Sequence, residues 1–172
     1  MMKGCIIMTQ NNYCYMTLVT ENRYLPCVKR CNQAMKYLKS KYPYIVLVPD
    51  DNEYIQSELK KANIEYRLIK LDKFSKKDTN FYADTINKFQ LLLFTEYDKI
   101  CFLDADIIVY RNIDAELDKE FEENIYIYSE SKEILTGFIM LIKPEPEIYK
   151  FIVNNFSHFK NDEEVLQVLY GK

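Results

Sequence analysis

Lys99-Ile-Cys-Phe-Leu-Asp-Ala-Asp-Ile-Ile-Val-Tyr-Arg-Asn-Ile-Asp114 is the stretch on which the fold turns. An apolar run, Ile100 to Leu103, leads into two acids, Asp104 and Asp106; a second apolar run, Ile107 to Tyr110, follows, and Asn112 and Asp114 close the unit. The first run has the length and composition of a buried strand. Carboxylates buried between two apolar runs are costly unless something compensates their charge, and these runs leave no room for an ordinary exposed turn. Residues two apart in extended chain point the same way, so both carboxylates converge at the strand end. Such a pair suits a hard divalent cation that is shared with substrate phosphates. Taken alone, an Asp-x-Asp more often starts a turn, and that alternative stays open.

Outward from this stretch, strands and helices alternate. Tyr13 to Thr20 reads as a strand, and Thr20-Glu21-Asn22 as a turn with a cap. Leu25, Val28, Cys31, Met35 and Leu38 recur at helical spacing over 24–38, with Pro26 in the first turn. Tyr44 to Val48 is a continuous β-rich run, and Pro49-Asp50-Asp51-Asn52 stops it and caps a helix to Lys61. Ile64 to Leu71 is a further strand, and Asp72 to Asn80 a Lys-rich loop. Ile86, Phe89, Leu92 and Leu93 place a helix over 82–94. Beyond the double-Asp stretch come a short helix (113–121), strands at 125–128 and 138–142, and helices at 144–156 and 162–169. The pattern predicts an α/β domain with a Rossmann-like, mainly parallel sheet flanked by helices and mixed in its last third. Ligands of such sheets sit outside the carboxyl ends of the strands, where Thr20, Pro49-Asp50 and Asp104 all fall.

At 172 residues, with 48% apolar and 28% charged residues, the chain fits one ordinary globular domain, 1–172. A net charge of −3 argues against sequence-independent nucleic-acid binding. Lys73, Lys76 and Lys77 read as solvated loop charge. Three glycines leave no Gly-rich phosphate loop, which counts against a nucleotidyltransferase. The five cysteines have irregular spacing and the single histidine, His158, is remote from them, so reduced thiols in a cytoplasmic protein are expected. No apolar run has the length of a membrane span.

Four segments resemble the glycogenin-like family of retaining glycosyltransferases, which have the nucleotide-diphospho-sugar transferase (GT-A type) fold. They are Met16-Thr-Leu-Val-Thr-Glu-Asn-Arg-Tyr24, Tyr44-Ile-Val-Leu-Val48, Phe102 through Asp114, and Thr136-Gly-Phe-Ile-Met-Leu-Ile-Lys-Pro144. The resemblance implies that Leu18, Thr20 and Tyr24 cradle the uracil and ribose of a UDP-sugar, and that Lys88 lies near the sugar and phosphates. It implies manganese (or magnesium) on Asp104 and Asp106, the Ala105 backbone against ribose, and Thr136 and Gly137 bordering the sugar. Asp162 and Glu163 fall near the family's acid–amide pair beside the reacting sugar carbon. Read as bare sequence, Lys88 faces water and the Asp162 run is a solvated helix start.

The chain departs from the family pattern at Glu21 and Leu135, each standing where the family has Asn. The family continues beyond the point matching Lys172, into a segment with a histidine metal ligand and a phosphate-contacting lysine, so the resemblance implies a C-terminally short domain. The expected activity is metal-assisted transfer of a hexose from a UDP-sugar to an unknown acceptor hydroxyl, with retention. The alternative is a nucleotide-sugar-binding or inactive relic domain acting through protein contacts. A homo-oligomer stays open.

Overall fold

The computed structural model describes residues 11–72, 81–128 and 136–171. The Lys-rich loop with Lys73, Lys76 and Lys77, and Leu135, lie outside the described residues. Alternating hydrophobic side chains build a six-stranded sheet from β1 (Tyr13–Leu18), β2 (Tyr44–Pro49), β3 (Tyr66–Ile69), β4 (Lys99–Leu103), β5 (Ile125–Ile127) and β6 (Ile139–Ile142). The order is β3-β2-β1-β4-β6-β5, parallel across the first four and antiparallel from β4 to β6 to β5. This is the mixed, mainly parallel sheet that the sequence predicts.

Because strand side chains alternate, β1, β2, β4 and β6 each feed two cores. Tyr13, Tyr15, Tyr44, Val46, Cys101 and Leu103 pack under α1 (Leu25–Tyr37), α2 (Glu53–Lys61) and α3 (Asp114–Leu117). Cys14, Met16, Ile45, Leu47, Ile100 and Phe102 pack on the other face, under a long 3-10 helix (Phe81–Leu93), α4 (Pro146–Asn155) and α5 (Asp162–Tyr170).

The helix expected over 82–94 forms, with 3-10 geometry. Two expectations need correction. The short helix expected over 113–121 is the single turn α3, because the Lys99 ammonium takes the carbonyls of Leu117 and Lys119 and the chain turns aside. The run Ile107–Tyr110 is not a buried flank: Val109 is buried, but Ile108 is 65% and Tyr110 84% exposed. It crosses the domain surface with alternate side chains facing water.

Candidate functional site: a cleft at the sheet's switch point

From β1 the chain proceeds to β2 and β3 on one side, whereas β4 lies on the other. The carboxyl ends of β1 and β4 therefore diverge, and a crevice opens between the connections leaving them. It holds a cleft of about 480 Å³ lined by Leu18, Thr20, Glu21 and Tyr24 from the β1 end, and Phe102, Asp104, Ala105 and Asp106 from the β4 end. Leu71, Thr85 and Lys88 complete the lining. Seven residues picked from the sequence, Leu18, Thr20, Tyr24, Lys88, Asp104, Ala105 and Asp106, thus share one concavity.

Lys88 is at the centre of its chemistry. Its position on the 3-10 helix turns the side chain inward under the sheet edge, and the residue is only 5% exposed. The expectation that it faces water is overturned by its partners. Nζ donates to Asp104 Oδ1 at 3.2 Å, to Asp162 Oδ2 at 2.8 Å and to the Gly137 carbonyl at 3.3 Å. Its ammonium also lies 5.3 Å from the centre of the Phe102 ring. Three N–H groups meet three acceptors, which satisfies a buried ammonium.

The two acids on Lys88 differ. Burial pushes the Asp104 carboxyl up to about 6, and the Lys88 charge only partly offsets this. Burial also raises Asp162, but there Lys88 and Thr85 outweigh it and hold the carboxyl below its usual value. The solvated helix start is therefore not what Asp162 forms. It is buried, and its backbone N–H donates to Thr85 Oγ1 at 3.2 Å.

Gly137 explains how α5 comes so close. A Cβ there would lie 2.6 Å from Asp162 Oδ2 and 3.3 Å from Lys88 Nζ. Thr136 is half-buried beside it. Glu163 is exposed at the next position of α5 and does not line the cleft. Glu21, Leu71, Thr85 and Phe102 are cleft residues that the sequence reading assigned no part in a ligand site. Glu21 and Phe102 stand inside the quoted segments, so proximity in sequence was the available signal. Leu71 and Thr85 carried none.

Asp104 and Asp106 are oxygen donors on one wall, as a hard cation needs. Among the described residues no group of three or more His, Cys, Asp or Glu side chains is placed to hold a metal by itself. Two carboxylates with the remaining positions left to substrate phosphate is the donor set that magnesium-like ions use, so the residues fit such an ion.

This sheet order and cleft define the nucleotide-diphospho-sugar transferase (GT-A type) fold, shared with solved glycosyltransferases. The apo-form glycosyltransferase GlyE of Streptococcus pneumoniae superposes with a TM-score of 0.66 at 15% identity, over 94% of this chain and 43% of that one. The WbbM bifunctional glycosyltransferase gives 0.63 at 13% identity, over 95% of this chain and 38% of its own. No family model matches the chain. In sequence it is 32% identical to protein R707 of Acanthamoeba polyphaga mimivirus over 111 residues, 60% of this chain and 39% of that protein. It is 38% identical to UDP-glucuronate:xylan alpha-glucuronosyltransferase 1 of Arabidopsis thaliana over 73 residues, 41% of this chain and 11% of that enzyme. The chain spans well under half the length of these curated relatives. Among the described residues no helix is long and apolar enough to cross a membrane.

Proposed function

We propose that this domain transfers a hexose from a UDP-sugar to an acceptor hydroxyl, with retention at the anomeric carbon. The observation that carries the reading is the switch-point cleft, in which Asp104, Asp106 and a fully partnered Lys88 line one concavity. The named activity of the Arabidopsis thaliana relative, a UDP-glucuronate transferase, supports nucleotide-sugar chemistry.

In this reading Leu18, Thr20 and Tyr24 take the uracil and ribose, with the Tyr24 ring available for stacking, and the Ala105 backbone meets the ribose. Thr136 and Gly137 border the sugar. Manganese or magnesium held by Asp104 and Asp106 would neutralise charge building on the departing diphosphate. Lys88, its three N–H groups taken by Asp104, Asp162 and the Gly137 carbonyl, offsets the acids' charge at the cleft floor and holds Asp104 in place beside the diphosphate. Asp162 acts through Lys88, whose position it sets; Glu163, exposed, is the weaker candidate of that pair. The bond from the anomeric carbon to the phosphate oxygen breaks, and a bond to the acceptor oxygen forms on the same face. The acceptor's proton leaves with the departing phosphate oxygen. Among the described residues no Ser, Cys or His lines the cleft, and this route uses none.

Calorimetric titration of UDP with and without manganese tests the reading. Binding that requires manganese, and is lost in Asp104→Asn and in Asp106→Asn with little change in melting temperature, is the expected result. Burial already disfavours the Asp104 charge, and its amide replacement keeps an oxygen for the Lys88 ammonium; Asp106 is exposed. Normal manganese-dependent binding by either variant would overturn the metal assignment. Absence of binding by the unmodified chain in both conditions would overturn the transferase reading in favour of a relic domain.

A further inference from the structure

Asp114 lies ten positions beyond Asp104, at the far end of the same loop. Its carboxylate is buried, and four donors converge on it. Tyr15 OH and Ser40 Oγ reach Oδ1 at 2.9 and 2.7 Å. The Lys41 backbone N–H and Asn112 Nδ2 reach Oδ2, each at 3.0 Å. Asn112 also donates to the Leu38 carbonyl at 3.1 Å and accepts from the Asp114 backbone at 2.8 Å. One carboxylate therefore joins β1, the α1–β2 connection and the start of α3.

The loop between is hydrogen-bonded at its two ends and packed along its length. At the β4 end, the Asp104 N–H donates to the Phe138 carbonyl at 2.9 Å, and that of Ile107 to the Asp104 carbonyl at 3.0 Å. Residues 107–110 join no strand; Val109 is buried, and Ile107 and Ile113 pack half-buried against the same core. Asp106 is exposed, so its direction is set by the path of the loop rather than by packing around it. A shift at the Asp114 end is carried toward Asp106 through these packed side chains.

We propose that Asp114 is a positioning residue for the donor site, acting through this loop to hold Asp104 and Asp106 in convergence. The proposal rests on the donor-site reading above. Four donors suit an ionised acceptor with two oxygens, whereas an amide at this position would turn an N–H₂ group toward two of them. The network acts on the acids through the loop that joins them to Asp114, not by contact with either acid or with ligand.

The test compares the unmodified chain with Asp114→Asn, Ser40→Ala, Tyr15→Phe and a control, Asp118→Asn. The Asp118 carboxylate pairs with the Lys41 ammonium at 2.9 Å, not with the Lys41 N–H that reaches Asp114, so the variant alters a neighbouring charge and leaves the four donors in place. UDP affinity with and without manganese is measured at a temperature where circular dichroism shows each variant folded. The expected result is a loss of manganese-dependent UDP affinity of about tenfold for Asp114→Asn and about threefold for Ser40→Ala, with Asp118→Asn unchanged. A purely structural role lowers melting temperatures and leaves the folded variants with unaltered affinity; that result overturns the proposal. If Asp114→Asn does not fold, unaltered affinity in both Ser40→Ala and Tyr15→Phe overturns it. Absence of manganese-dependent binding in the unmodified chain defeats the donor-site reading first, and this inference with it.

Discussion

At the scale of single residues, the cleft depends on close approaches. Gly137 occupies a position where a methyl group would press on Asp162 Oδ2 and then on Lys88 Nζ. The requirement is for space rather than for an unusual backbone angle. Gly137→Ala is expected to push Asp162 from the Lys88 ammonium and destabilise the fold by about 1–3 kcal/mol, the usual range for overpacking. Urea unfolding measures this directly, and unchanged stability would show that α5 yields without cost. Lys88 also marks what the sequence hides at this scale. Its neighbours in sequence place it on a helix, but its acid partners stand 16 and 74 positions away. A buried ammonium reads as an exposed one until the fold brings those acids in. That Asp104 and Asp106 line one cleft follows from a local signal, since both stand just beyond the end of β4.

At the scale of elements, α5 delivers Asp162. It starts abruptly because Asn161 Oδ1 accepts from the Glu164 N–H at 3.0 Å, with three acids in the first turn favoured by the helix dipole. Asn161→Ala is expected to cost about 1 kcal/mol, read as a lower urea midpoint. The α2 cap is legible in the sequence, Asn52 Oδ1 accepting from the Ile55 N–H at 3.1 Å, whereas the cap expected at Thr20-Glu21-Asn22 is not made, since the helix turns that follow have no side-chain cap bond. The errors came where distant partners decide. α3 ends early because an ammonium on β4 claims its carbonyls. The apolar run Ile107–Tyr110 looked buried because composition alone does not distinguish a strand from a surface crossing in which alternate side chains face water.

At the scale of the whole molecule, strand periodicity made the parallel half legible, since each strand there presents apolar residues to both faces. The order of the strands was not, because no local signal says that β4 rather than β3 pairs with β1. Acid stability follows from the same architecture. Burial raises the Asp114 carboxyl, but hydrogen bonds from Ser40, the Lys41 backbone, Asn112 and Tyr15 prevail and hold it below its usual value. A carboxyl depressed in the fold binds its proton more readily when unfolded, at about pH 3.9. Its contribution is therefore present above that pH and is lost as pH falls through the folded value. The stability gap between the unmodified chain and Asp114→Asn is expected to be widest at pH 7 and to narrow below pH 4, measured by urea unfolding at pH 7, 5 and 3. A gap independent of pH would show that the network does not favour the charged form.

The sheet order also sets a schedule for biosynthesis. The first strand among the described residues ends up in the middle of the sheet, and the pairing that closes its second edge, Tyr13 with Lys99, spans 86 residues. At ordinary translation rates the ribosome takes about 4 to 17 s to supply that partner. Throughout that interval Tyr-Cys-Tyr-Met-Thr-Leu has an edge open and its apolar faces incompletely covered, which exposes this hexapeptide of the nascent chain to wrong pairing until β4 arrives.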